Sequence, residues 1–153
     1  MYPKRIIVVG ATSGIGRAVA ELLLRQGCIV GLAGRREQLL DELAKAYPGR
    51  AFRQRIDVCG DDAEAGLAAL IEKTGGMDVF LLCSGIGSQN PDLDPDVELR
   101  TVETNACGYV RMMDAAYRYF RNKGRGHIAA ISSIAGTKGL GIAPAYSATK
   151  RFQ

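Results

Sequence analysis

Apolar positions along this chain follow two alternating rhythms. Short unbroken runs rich in Val and Ile give way to small residues, and then to longer stretches in which apolar residues recur every three or four positions. Residues 5–9, RIIVV, read as a buried strand. Residues 13–27 read as a helix with Ile15, Val19, Leu22 and Leu23 on its apolar side and Gly27 as its stop. A strand at 28–34, a helix at 36–49 closed by Pro48-Gly49, and an alternating strand at 51–58 follow. The helix at 61–76 starts at Asp61 or Asp62, with Asp61 and Glu64 spaced as a capping box, and ends at Gly75-Gly76. Residues 77–85 make a fourth strand, 88–96 a polar loop with prolines, and 97 to about 123 one long helix. Residues 126–133 make a fifth strand, and Pro144 opens a last helix after a Gly-rich loop.

Strand–helix alternation predicts a parallel sheet with crossover helices. Uncharged runs such as IIVV and VFLLC suit strands covered on both faces. With 153 residues, 47% hydrophobic and 24% charged, the chain is expected to form a single domain, 1–153, with a real core. No linker, repeat or low-complexity tract interrupts it. The net charge of +4 is scattered and is not interleaved with aromatics, so no nucleic-acid surface is expected, and a small anionic ligand accounts for it. The apolar stretch before the first glycine is too short for a signal peptide, and no run approaches a membrane span. The four cysteines, Cys28, Cys59, Cys83 and Cys107, include no CxxC pair, and His127 is the lone histidine. Buried reduced thiols in a cytoplasmic protein are therefore expected, not a metal site.

Three stretches carry candidate chemistry. The first, VVGATSGIG, sets Gly10, Gly14 and Gly16 between a strand and a helix. Such a turn lets a phosphate reach backbone N–H groups at a helix N-terminus, although a tight turn in any α/β protein can look the same. Its GxxxGxG spacing is neither GxGxxG nor GxxxxGK[ST]. The second, GLAGRREQ at the end of the second strand, offers Arg35 and Arg36 where an acid binds the 2′-hydroxyl of a dinucleotide ribose. A guanidinium there accepts a 2′-phosphate, so the pair favours NADP(H), with NAD(H) still possible; the alternative is a solvated pair at a helix start, and Glu37 weakens the case slightly. The third is Tyr146 and Lys150, four apart and so on one helical face, with Ser133 at the end of the fifth strand. A nearby ammonium favours a phenolate, which suits proton transfer to or from an alkoxide; alone, the pair could equally be two surface residues.

In this order, GATSGIG, Asp57-Val58, Cys83-Ser84-Gly85, TNACG (104–108), ISSIAG (131–136) and YSATK (146–150) resemble the short-chain dehydrogenase/reductase family, in its smaller, non-extended branch. The resemblance covers the whole chain. It implies a Rossmann-like doubly wound parallel α/β sheet and an NADP(H)-preferring enzyme that interconverts a small-molecule carbonyl and a secondary alcohol. It implies Tyr146 as general acid/base, Lys150 as ligand of the nicotinamide ribose and modulator of the tyrosine, Ser133 as substrate hydrogen-bond donor, and Asn105 as holder of a relay water. Gly10, Thr12, Ser13, Gly14, Ile15 and Gly16 are implied as cofactor contacts. So are Arg35, Arg36, Cys83, Ser84 and Gly85, with Asp57 and Val58 at the adenine. Three positions depart from the family: Val9 stands for Thr, and Cys83-Ser84 for Asn-Ala. The missing Asn raises the question of how the fourth strand is tied to its neighbours. The long helix, with Met112, Met113, Tyr117 and Tyr119, is implied to serve core or subunit contacts, and hence a homo-oligomer. Family members continue past Lys150 with two more strands and a substrate loop. Five strands and missing C-terminal strands are therefore expected, within a longer reductase. The alternative is a fragment that binds dinucleotide or a partner without turnover.

Overall fold

The computed structural model describes residues 3–153. Five strands, β1 (Arg5–Val9), β2 (Ile29–Gly34), β3 (Ala51–Arg55), β4 (Val79–Leu82) and β5 (His127–Ala130), form one parallel sheet in the order β3-β2-β1-β4-β5. The order reverses at β1, whose neighbours β2 and β4 are reached by crossovers to opposite sides. The helices are α1 (Gly14–Arg25), α2 (Glu37–Ala46), α3 (Ala63–Lys73), α4 (Pro95–Val102), α5 (Gly108–Lys123) and α6 (Pro144–Phe152). β1 shows why both faces are covered. Ile6 and Val8 pack with Ala20, Leu24, Leu40 and Leu43 of α1 and α2. Ile7 and Val9 pack on the other face with Leu67, Leu70, Met112, Ala116 and Phe120 of α3 and α5. β5 pairs with β4 alone among the described residues, and its side chains are half-buried or exposed.

Several details differ from the sequence expectation. On α1 the buried residues are Gly16, Ala20 and Leu24, while Ile15 and Leu22 are exposed. The glycine and alanine let α1 lie close to the sheet, which rotates the buried face away from its larger apolar residues. The capping box at Asp61 and Glu64 does not form: Asp62 is the N-cap, without a side-chain cap bond. The long helix starts at Pro95, with Asp94 capping the N–H of Asp96, and it widens to a π turn at Glu103–Cys107 between α4 and α5. Of the cysteines, all free, three are half-buried and Cys107 is exposed, so none is fully buried. Met112 is fully buried and Tyr119 accepts from the N–H of Met77, while Tyr117 is exposed. Among the described residues no helix is long and apolar enough to cross a membrane, and no cluster of His, Cys, Asp and Glu could hold a metal.

Candidate active site

The carboxyl ends of the strands open into two adjoining clefts, of ≈ 460 and ≈ 500 Å³. The first runs from the glycine loop across the ends of β2 and β3; the second lies over the end of β5 and the start of α6. Ile15, Cys83, Gly85, Ile86 and Ile131 line both, so they form one continuous depression.

The glycine loop has the geometry its spacing suggests. Gly10 sits at φ +95°, and a Cβ there would fall 2.6 Å from the backbone N of Ser84. Gly14, at φ +55°, faces open space with nothing within 4 Å of such a Cβ. α1 begins immediately after, and its N-cap Ser13 makes no cap bond. The Ser13 hydroxyl instead accepts from Arg36 Nη2 at 2.6 Å, and the Thr12 hydroxyl accepts from the same nitrogen at 2.7 Å. The first turn of α1 therefore points uncapped donors into the cleft, beside one guanidinium and with no acid in that turn. Arg35 lines the cleft and is exposed. Glu37 is held away by Arg53, at 3.2 Å, so it does not offset the arginine pair. Asp57 accepts from the N–H of Cys59 at 3.1 Å, and Asp57 and Val58 both border the cleft.

With Cys83 where the family has asparagine, the carboxyl end of β4 is tied through its backbone. Cys83 donates to Val9 O at 2.7 Å, and Ile131 donates to Leu82 O at 3.0 Å. Burial raises the Cys83 thiol pKa above its ordinary value, an effect the nearby Lys150 partly offsets.

Tyr146, Lys150 and Ser133 line the second cleft together. Tyr146 is half-buried. Its ring lies close over Gly87, where a Cβ would fall 2.6 Å from Tyr146 Cδ2. Lys150 is buried, with Nζ 5.9 Å from the Tyr146 ring centroid. It donates to Ile131 O at 2.9 Å and to Gln153 Oε1 at 2.7 Å. Burial lowers the Lys150 pKa below the usual lysine value, against a smaller opposing influence from Cys83. Ser133 caps a short 3₁₀ turn, Ile134–Gly136, by accepting from the N–H of Ala135 at 3.2 Å. Its own hydroxyl proton remains to be donated.

Asn105 lies in the π turn, fully buried. Its Oδ1 accepts from Ile86 N at 2.8 Å, and its Nδ2 donates to Ile86 O at 2.7 Å and to Thr149 at 3.2 Å. The side chain is thus saturated and braces the segment after β4. The Gln153 carboxamide bridges the main-chain carbonyl of Asn105 and Lys150, donating to Asn105 O at 2.7 Å, while Asn105 Oδ1 and Lys150 Nζ both lie beside Gly85. Every residue that the sequence assigned to the site borders the depression or, like Asn105, lies against its lining. The sequence reading missed the wall Ile86–Gln89 and the contributions of Thr104, Ile131, Ser132 and Ala143. Only the glycines of GIGSQ hinted at a close approach there. His127 stands exposed at the far end of β5, away from the site.

The family model for short chain dehydrogenase matches residues 4–152. The chain belongs to that family. Dehydrogenase/reductase SDR family member 7B of Bos taurus is 33% identical over 157 residues, covering 95% of this chain and 48% of its own length. A variant of actinorhodin polyketide ketoreductase, solved with NADPH, superposes with a TM-score of 0.89 at 30% identity, over 97% of this chain and 60% of that one. The 3-ketoacyl-(acyl-carrier-protein) reductase of Brucella melitensis, solved with NADH, gives 0.89 at 25% identity, over 97% and 64%. This short-chain dehydrogenase sequence thus spans about half the length of the curated relative and under two thirds of either solved chain.

Proposed function

We propose that the protein is an NADP(H)-preferring oxidoreductase that interconverts a small-molecule carbonyl and a secondary alcohol. The observation that carries this is the junction of the two clefts. A loop fit for a pyrophosphate opens directly onto Tyr146, Lys150 and Ser133. The ketoreductase with NADPH and the ketoacyl reductase with NADH support the same reaction class. The residues fit a dinucleotide: the open face of Gly14, the uncapped first turn of α1 and the Thr12, Ser13 and Arg36 cluster suit its phosphates. Bound there, the nicotinamide supplies or accepts the hydride. Tyr146 gives its phenolic proton to the oxygen of the reduced carbonyl, or takes it back in oxidation. The Lys150 ammonium, fixed by Ile131 O, favours the phenolate that this transfer leaves. Ser133 donates to the same oxygen and orients it.

The preference for NADP(H) rests on Arg35 and Arg36 at the end of β2, with Glu37 engaged elsewhere. Arg35→Asp should shift the binding ratio toward NADH, and an unchanged ratio counts against the preference. The reaction is tested by offering the full-length protein NADPH and a broad panel of ketones and aldehydes. NADPH binding without any reduction would instead make it a dinucleotide-binding module. A reducing, cytoplasmic setting agrees with the four free thiols. Self-association is part of the proposal, through the groove that Val110 of α5 forms with Ala106 and Cys107 of the π turn and Phe152 of α6.

A further inference from the structure

The second cleft has two walls that come from distant parts of the chain. One is the segment 86–89 after β4; the other is Ala143 and Tyr146 at the start of α6. Directly behind them lies a polar knot centred on Asn90 and Glu98. Asn90 is 5% exposed, and all its polar groups are used. Its backbone N–H donates to Ile142 O at 2.7 Å, and its Oδ1 accepts from Asp94 N at 3.0 Å. Its Nδ2 donates to Asp94 O at 3.0 Å and to Glu98 Oε1 at 2.8 Å. The other oxygen of Glu98 accepts from Ala145 N at 2.9 Å.

One carboxylate on α4 thereby grips both walls. It holds the first wall through Asn90, the neighbour of Gln89, and the second through Ala145, the neighbour of Tyr146. The start of α6 needs such an outside partner. Its N-cap, Ala143, has no side chain to offer, and Pro144 has no N–H. Ala145 therefore carries the first free donor of the helix, and a carboxylate there also complements the helix dipole.

We infer that Glu98, acting with Asn90, is a positioning pair that sets the gap between the 86–89 wall and the Tyr146 hydroxyl, and so the fit of the carbonyl substrate. Neither residue lines the cleft; both act through the segments they hold. The inference rests on Tyr146 as the proton donor.

The test compares the wild type with Glu98→Ala, Glu98→Gln and the double variant Asn90→Asp/Glu98→Gln. Two readouts are used: hydrogen exchange of the cofactor-free protein, and steady-state kinetics with NADPH and a ketone the wild type reduces. Glu98→Ala should raise exchange at 86–90 and at 145–147 together, leaving β1 and α1 protected. It should lower kcat/KM for the ketone by roughly tenfold or more, the scale of a misplaced reacting group. NADPH affinity should hold, because the glycine loop is untouched. Glu98→Gln keeps the acceptor for Ala145 but turns its amide against the amide of Asn90, so it should also be impaired. Adding Asn90→Asp restores the donor–acceptor pair with residue 98 but turns an oxygen toward Asp94 O, so kcat/KM should recover in part, above that of Glu98→Gln. Rescue of that kind is not expected of a generic loss of stability. Exchange that rises in one wall only or in neither, or a double variant no better than Glu98→Gln, would overturn the inference. A wild type that neither binds NADPH nor reduces any ketone would overturn the reductase reading instead, while the exchange pattern would still decide whether the knot joins the two walls.

Discussion

Lys150 is the residue at which burial and function meet. A buried ammonium loses hydration, and this lowers its pKa. Its bonds to Ile131 O and Gln153 keep it in place but supply no counter-charge. The sign for stability follows. Below the lowered pKa the charge is present in both folded and unfolded chains, and burial costs the fold. As pH rises from there to the ordinary lysine value, that cost disappears. The sign for activity is opposite, because in the proposed reaction deprotonation removes the positive charge beside Tyr146. The rate of carbonyl reduction should therefore fall on the alkaline side at a pH below the ordinary lysine value. Lys150→Arg, which stays charged, should lose that alkaline limb, though with a lower plateau. A pH–rate profile of both proteins checks this, and an unchanged limb in the arginine variant would assign it to another group. Tyr146→Phe removes the proton donor while leaving the glycine loop intact. It should reduce turnover by roughly 10²–10⁴-fold with NADPH affinity retained, measured by single-turnover kinetics and fluorescence titration.

At the scale of elements, one polar tie holds the amino edge of the sheet to α5. Asp78, just before β4, accepts from the backbone N–H of Arg5 at 3.0 Å and from Lys123 at 2.8 Å. Lys123 also donates to Met77 O. The hydrogen bond from Lys123, then that from Arg5, holds the Asp78 carboxyl below its usual pKa. A depressed carboxyl stabilises the fold above its unfolded-state value and loses that effect as pH falls through the lowered one. Asp78→Asn should therefore cost about 1 kcal/mol at neutral pH, a modest figure because both partners are partly exposed. The difference from wild type should vanish in acid, as followed by denaturant melts at several pH values. The strands themselves were legible in the sequence because a parallel sheet covered on both faces demands uncharged, largely apolar runs, as in IIVV and IVGLAG. The buried face of α1 was not. Periodicity records which residues are apolar, not which side of the helix approaches closest, and Gly16 and Ala20 took that side.

For the molecule as a whole, the residues that line the depression were legible because most sit where a strand ends, and parallel strands bring those ends to one edge. Gly10, Cys83 and Ser133, far apart in sequence, meet there for that reason, and the start of α6 brings Tyr146 beside them. The braces behind them were not legible. Asn90 and Glu98 lie in a loop and on an exposed helix, without periodicity, and only the fold reveals what each carboxylate oxygen holds. The same limit applied to the outer surface, where α5 reads as an ordinary amphipathic helix. Its solvent side keeps Val110 41% exposed, beside Phe152 of α6, 58% exposed, and Tyr109 meets Phe152 edge-on with ring centroids 6.2 Å apart. Together with Ala106 and Cys107 they shape a groove of ≈ 440 Å³ in which Arg111 is the lone charged residue. An apolar hollow of this kind on a helix flank is suited to burial against a second copy. A two-fold axis passing through this hollow would bring Val110 near its own counterpart. Val110→Lys would then place like charges in a desolvated contact, while the fold, which leaves that side chain in solvent, would be unaffected. Sedimentation equilibrium of the full-length protein should show an oligomer for the wild type and a smaller species for Val110→Lys, with equal thermal unfolding of the isolated subunits. An unaltered mass in the variant would move the contact away from α5.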